Sequence, residues 1–209
     1  MKRKSTKYET SREKARNHIL ESAYSVISVT PFSSLTMMSF ADAAKISRQT
    51  LYKYFGTIDS IIFALKQKIE QEFVTFFDPI FADPNLDGKT KILTATKQLF
   101  SLAISEPDRF VFIARFSNNP TPEESNAFYH DLSVQTFEVG QLVKAGQADG
   151  SIKPDLDPEK TGFALLNLVI GAATRVAVHK PEVELPTGHM GPNEIGEILL
   201  QEIELLLSR

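Results

Sequence analysis

The twenty residues from Thr36 to Phe55, TMMSFADAAKISRQTLYKYF, constrain this chain more than any other stretch, because their spacing describes two short helices meeting at a tight turn. Thr36 opens the first helix, where its hydroxyl can accept from the free N–H groups of the first turn. Phe40 and Ala44, four residues apart, fall on one face of it. The small side chains of Ala41, Ala43 and Ala44 let a second helix approach closely. Ile46 is the single apolar residue of the turn. Ser47 is a second N-cap, opening a helix with Leu51, Tyr54 and Phe55 on its inner side.

That second helix leaves Arg48, Gln49, Thr50, Tyr52 and Lys53 facing outward or along its start. Side chains of these kinds are used on DNA: Arg pairs with guanine, Gln with adenine, and Thr, Tyr and Lys hold phosphates. A helix-turn-helix sets its second helix in the major groove with the N-terminal residues on the base edges. Arg48, Gln49 and Thr50 occupy that end.

The residues Thr36, Phe40-Ala41, Ala44, Ile46-Ser47, Thr50-Leu51-Tyr52 and Tyr54-Phe55, preceded by Arg16, Ile19-Leu20 and Ala23, resemble the signature of TetR-family transcriptional regulators. The match is strong over the first quarter of the chain; beyond it, only length and helical character agree. The resemblance implies DNA contacts from Thr36, Ser47, Arg48, Gln49, Thr50, Tyr52, Lys53 and Tyr54. Three positions depart from the family pattern. Lys45 stands at a turn position where the family usually has Gly; if the backbone there takes positive φ, a side chain costs about 1 kcal/mol. Gln49 replaces a second frequent Gly and adds a base-reading side chain, and Ile58 stands where a Lys would approach phosphate.

Charge divides unevenly along the 209 residues. Residues 1–55 hold 10 Lys plus Arg against 4 Asp plus Glu, a net of +6, and the remainder holds 13 against 22, a net of −9. The overall charge of −3 therefore says less about nucleic acid than the charge on the face that docks. The absence of cysteine excludes disulfides and thiolate metal sites. The basic N-terminus has no apolar run behind it to serve as a signal peptide. The most hydrophobic stretch, 163–178, is too short to span a bilayer and contains Asn167, Thr174 and Arg175. A cytoplasmic protein with no membrane partner is expected.

The rest reads as helices with Pro and Gly at the joints, without alternating strands, so the expected fold is all-α. A first helix runs from about Ser11 to Val29 with Ala15, Ile19, Ala23, Val26 and Ile27 on one face, and the Lys2–Lys7 arm before it reads as a disordered tail. Thr57 caps a long helix to about Phe77, stopped by Asp78-Pro79. Further helices are expected at about Gly88–Ser105, Pro107–Phe116, Pro122–Ala148, Pro158–Val178 and Pro192–Leu207, with 181–191 a surface loop. The expected division is a DNA-binding helix-turn-helix domain at 1–56 and a ligand-binding and dimerisation domain at 57–209.

Residues 163–178 and 195–207 are apolar nearly all the way round, and such helices must be covered on both sides. Each is either a central core helix or packs one side on its own subunit and the other on a partner, as four helices about a two-fold axis. TetR-like proteins pair through their last two long helices, so the resemblance implies a homodimer through 158–178 and 192–207. Residues 73–137 hold ten of the fifteen Phe residues. They form either ordinary core packing or an apolar pocket with a few orienting polar groups. The candidate lining is Phe73, Phe77, Phe100, Phe112, Arg115, Phe116, Tyr129, Phe137 and Asn167; His130, Gln135 and Arg175 are further polar candidates.

Enzymatic signatures are largely missing. His18, His130, His179 and His189 are scattered, and neither a nucleophile elbow nor a phosphate-cradling Gly loop occurs. No catalytic residue, metal or cofactor is expected. The reading reached is a homodimeric regulator, a repressor that binds a palindromic double-stranded DNA operator and is released by an unidentified small apolar or amphipathic effector. Two alternatives belong to other classes: a helical small-molecule-binding protein or enzyme with a vestigial DNA-binding head, and an adaptor that uses its apolar C-terminal helices on a protein partner.

Overall fold

The computed structural model of the chain describes residues 2–117, 138–179, 182–186 and 188–208. The fold is all-α. In order come α1 (Lys2–Val29), a 3-10 turn (Phe32–Ser34), α2 (Met37–Ala43), α3 (Arg48–Tyr54), α4 (Ile58–Ala82), α5 (Gly88–Ser105) and α6 (Pro107–Ser117). Residues 138–149 are helical (α7), and after them stand α8 (Pro158–His179), strands β1 (Val183–Leu185) and β2 (Gly188–Met190), and α9 (Pro192–Leu207). The chain forms two compact units, Met1–Gln71 and Glu72–Arg209, and the division falls inside α4.

In the first unit α1 packs on α2 and α2 on α3. Ile19, Leu20, Ala23 and Ile27 of α1 are buried with Phe40, Ala41 and Ala44 of α2, Leu51 and Phe55 around α3, and Ile61, Ile62 and Leu65 of α4. Of the three alanines expected at the close approach, Ala41 and Ala44 are buried, whereas Ala43 is exposed because it falls on the outer side of α2. The basic arm is not a tail: α1 is helical from Lys2. The segment contains neither Gly nor Pro before Val29 and is rich in Lys, Arg and Glu, which favour helix.

Three helix starts share one device. Thr36 Oγ1 accepts from Ser39 N at 3.1 Å while Ser39 Oγ accepts from Thr36 N at 3.2 Å. Thr57 and Ser60 repeat the exchange at 3.1 and 3.2 Å, and Ser47 Oγ accepts from Thr50 N at 3.0 Å. The pattern is a capping box in which a hydroxyl takes the place of the usual Glu or Gln three residues on. The reciprocal exchange stands at 36/39 and 57/60, and at 47/50 the Ser47 half of it, so α2, α3 and α4 each begin at a fixed residue.

α2 ends in the six-residue wrap of a Schellman motif: Ile46 N donates to Ala41 O at 3.0 Å and Lys45 N to Asp42 O at 3.1 Å. The residue at the left-handed position is Lys45, with φ 54°. A non-Gly residue there is strained by about 1 kcal/mol. Lys45→Gly is therefore expected to raise the melting temperature by roughly 2–4 °C, read by calorimetry. A clear fall would show that the side chain stabilises the turn by more than its backbone costs.

α4 continues past Pro79 to Ala82, one turn beyond the expected stop. Pro loses its own N–H bond and crowds the carbonyl four residues before it, a cost that packing offsets here: Ile80 is buried, and Lys91 Nζ of α5 donates to Phe81 O at 2.8 Å, so α5 holds the last turn of α4 in place. In the second unit α5 packs on α8, α9 and α6, and α6 on α8. Its core contains Ile92, Phe100, Phe110, Val143, Ile152, Leu165, Val169, Val176, Ile203 and Leu207. The expected 181–191 loop contains a short antiparallel hairpin that pairs Val183 with Met190 and Leu185 with Gly188. Three-residue strands are too short to show a period of two in the sequence.

At 22 residues and a mean hydropathy of 1.6, α8 is long and apolar enough to cross a bilayer; beginning at Pro158, it is longer than the 163–178 stretch suggested. Leu165, Val169, Ala173 and Val176 lie in the core of the second unit. One face of α8 is thus packed inside the second unit.

Candidate nucleic-acid interface

The candidate site is the exposed side of α3. Leu51, fully buried, and Phe55, 4% exposed, fasten its inner side; Tyr54 is half-buried beside them. Everything else on the helix turns outward: Arg48, Gln49, Tyr52 and Lys53 are exposed and Thr50 is half-buried. With Leu51 at the centre of a seven-residue helix, the 100° step per residue leaves these side chains as one surface rather than a scatter.

The caps also order exposed hydroxyls. Ser47 Oγ lies 2.8 Å from Thr50 Oγ1, so the two hydroxyls are ordered against each other at the N-terminus of α3. Thr36 is likewise committed to the start of α2. Ser47 and Thr36 remain exposed, and the positive ends of two helix dipoles accompany them. A phosphate approaching this face would meet hydroxyls and N–H groups already held in place. Arg48 and Gln49, in the first turn of α3, would meet base edges.

Two contacts not legible in the sequence reach this unit from α1. His18 Nε2 lies 3.2 Å from Ala44 O, at the end of α2. The Arg16 guanidinium lies 5.3 Å from the centroid of the Phe55 ring, at the end of α3. Both join residues 26 or more positions apart, which no local spacing rule could pair. A third, longer contact sets Lys68 of α4 4.0 Å from Glu21 of α1.

The candidate ligand residues of the second unit are described in part. Phe100 and Phe112 are each only 4% exposed. Phe73 packs at 5.1 Å on Phe110, and Phe77 contacts Phe76 edge-on at 5.2 Å and Phe81 at 6.3 Å. Arg115 and Arg175 are exposed, and Asn167, also exposed, donates from Nδ2 to Phe163 O at 2.8 Å. The side chain of Phe116 and the residues Tyr129, His130, Gln135 and Phe137 lie outside the described residues, as does the expected helix from Pro122 until residue 138. A shallow groove of about 250 Å³ is lined by Leu93, Thr94, Lys97, Leu200, Gln201 and Glu204, none of them a candidate.

A capped, outward-facing second helix on a small basic head, joined to a larger helical body, defines a helix-turn-helix protein of the DNA-binding transcription-regulator class. The family model described as "Bacterial regulatory proteins, tetR family" matches residues 19–65, the segment that carries these elements. Over this head the chain is similar to the TetR family. Solved structures agree on the fold. A TetR transcription regulator from Haloarcula marismortui superposes with a TM-score of 0.77 at 18% identity, covering 94% of this chain and 100% of that one. A TetR/AcrR-family regulator from Thermobifida fusca gives 0.69 at 19% identity, covering 90% and 96%. The reduced form of NemR from E. coli gives 0.70 at 13% identity, covering 93% and 98%. No curated protein matches the chain by sequence.

Proposed function

We propose that this protein is a homodimeric, sequence-specific repressor of the cytoplasm whose two heads read a palindromic operator through α3. The observation that carries the reading is the outer surface of α3: Arg48, Gln49, Tyr52 and Lys53 are exposed on a head of net charge +6. Such side chains have no use in the packing of the head. Arg48 and Gln49 at the N-terminal end take the base-reading role, and Thr36, Ser47, Thr50, Tyr52, Lys53 and Tyr54 hold the phosphate backbone.

Dimerisation is supported by the apolar residues that α8 and α9 leave outside: Phe163, Leu168, Ile170 and Val178 on one, Ile198, Leu205 and Leu206 on the other. These two helices, over 158–178 and 192–207, supply the seam. Release by a small apolar or amphipathic effector is supported by the Phe-rich composition of 73–137. An effector acts only through unequal affinity for two conformations, and α4, which belongs to both units, is the element able to carry the difference.

The test separates base reading from phosphate binding. Arg48→Ala and Gln49→Ala are each expected to cost about 1–3 kcal/mol on the specific site and to relax base preference at one position. Lys53→Ala weakens binding to all sequences and reduces the slope of log K against log salt by about 1. Fluorescence anisotropy over a salt series on specific and random duplexes measures both. An equal loss on the two duplexes for all three variants would overturn the assigned roles.

A further inference from the structure

We infer that α1 sets the pose of the recognition helix through two fastenings, His18 on the turn before α3 and Arg16 on the residue after it, making both positioning residues for operator recognition. The inference rests on the DNA-reading role of α3 proposed above.

The turn before α3 is a weak point. It runs through Lys45, a side-chain-bearing residue at φ 54°, in a conformation that L-residues populate reluctantly. The peptide entering that residue is Ala44–Lys45, and its carbonyl, Ala44 O, is the group that His18 Nε2 meets at 3.2 Å. In that contact the ring nitrogen donates, since a carbonyl oxygen can only accept. The bond fixes the plane of the peptide on which the left-handed turn depends, and so the direction in which α3 leaves α2.

At the other end, Phe55 is the C-cap of α3, its N–H bonded to Leu51 O. Its buried ring carries the Arg16 guanidinium at 5.3 Å from the centroid, within the range of a cation–π contact. Residues two apart on a helix leave it on different sides, so Arg16 and His18 reach separate points on the unit they hold. Leu51, fully buried, anchors the middle of α3. A single anchor would leave a helix of ~10 Å free to swing about it; fastenings at both ends remove that freedom. Base readout depends on such orientation, because bidentate pairing with a base edge requires placement that phosphate contact does not.

The readout is the ratio of affinities for the selected site and for random duplex, measured by anisotropy at temperatures where each variant is folded. His18→Ala is expected to lower that ratio roughly fivefold to tenfold, the loss of one hydrogen bond from the oriented state, while random-duplex affinity stays at the wild-type value. His18→Gln, which returns an N–H donor, is expected to recover most of the ratio. Arg16→Lys keeps the charge but not the planar guanidinium, and is expected to lower the ratio roughly twofold to fivefold. The inference is overturned if His18→Ala leaves the ratio within about twofold of wild type, if specific and random affinities fall together, or if His18→Gln is as impaired as His18→Ala. A wild-type chain with no preference for any site would instead overturn the regulator reading, and with it this inference.

Discussion

Gly88→Ala is expected to lower the melting temperature by about 6–12 °C, corresponding to about 3 kcal/mol or more for a chain of this length. Gly88 opens α5 where it crosses α7. A Cβ at that position would press on the backbone N and Cα of Gly146 and stand 2.7 Å from the carbonyl oxygen of Leu142. All three obstacles are main-chain atoms, which cannot rotate aside as a flexible side chain can. The same residue is also a donor: Gly88 N bonds Asp149 Oδ2 at 2.9 Å, while Asp149 Oδ1 takes Ser151 N at 2.9 Å. Displacing α5 to admit a methyl group would therefore also break the bridge that joins it to the turn after α7.

The bridge is built for neutral pH. The Ser151 hydroxyl first, then the amides of Gly88 and Ser151, hold the Asp149 carboxyl below its ordinary value of 3.8, against the opposing effect of desolvation. A carboxyl depressed in the folded state contributes its full stabilisation above the unfolded value and loses it as pH falls through the lower folded one. The Gly88→Ala deficit should accordingly be unchanged across neutral pH. Gly56 supplies the control, since a Cβ there meets nothing within 4 Å and Gly56→Ala should melt with the wild type. Equal melting temperatures for Gly88→Ala and Gly56→Ala would refute the close approach of α5 and α7.

The second large effect is expected on assembly. Phe163 is 50% and Leu205 69% exposed, although they lie on helices whose opposite faces carry Leu165, Val169, Ile203 and Leu207 of the core. In a monomer, charging two exposed positions changes stability by a few tenths of a kcal/mol. In a dimer seam the same charges are buried unpaired, at a cost of several kcal/mol. The Phe163→Glu, Leu205→Glu double variant should fold with near-normal melting at low concentration yet scatter light as a 23.3 kDa chain, where the wild type scatters as twice that mass. Its operator affinity should fall about 100-fold or more, because two linked heads gain by effective concentration what one head cannot. A double variant that keeps the wild-type mass would place the seam elsewhere, and a wild type that is monomeric at working concentration would remove the dimer.

What could be read from the sequence was local chemistry. The caps at Thr36, Ser47 and Thr57 and the left-handed strain at Lys45 each depend on residues close by in the chain, and each is present in the structure. The limits of α5 and α9 were legible for the same reason, since Asp87 caps one and Pro192 opens the other. Features set by distant partners were not legible. His18 on Ala44, Arg16 on Phe55 and Asp149 on Gly88 join residues whose proximity exists only once the helices pack. Pro79 misled because its rule is local, while the turn beyond it is held by Lys91. The Phe-rich region shows the same limit: composition marks it as apolar, but only packing separates the closed-in Phe100 and Phe112 from Phe76, which is 45% exposed.

The most direct test of sequence-specific recognition is selection of duplexes from a random-sequence library by the purified full-length protein, with anisotropy on the recovered sequence over a salt series. The expected result is a two-fold symmetric motif with half-site centres ~34 Å apart or a multiple of it, bound at least ~10³-fold more tightly than its scrambled counterpart. Affinity for both should fall as salt rises. Recovery of no motif, with binding that depends on salt alone, would contradict sequence-specific recognition by α3, and an asymmetric single half-site would contradict a dimer reading through paired heads.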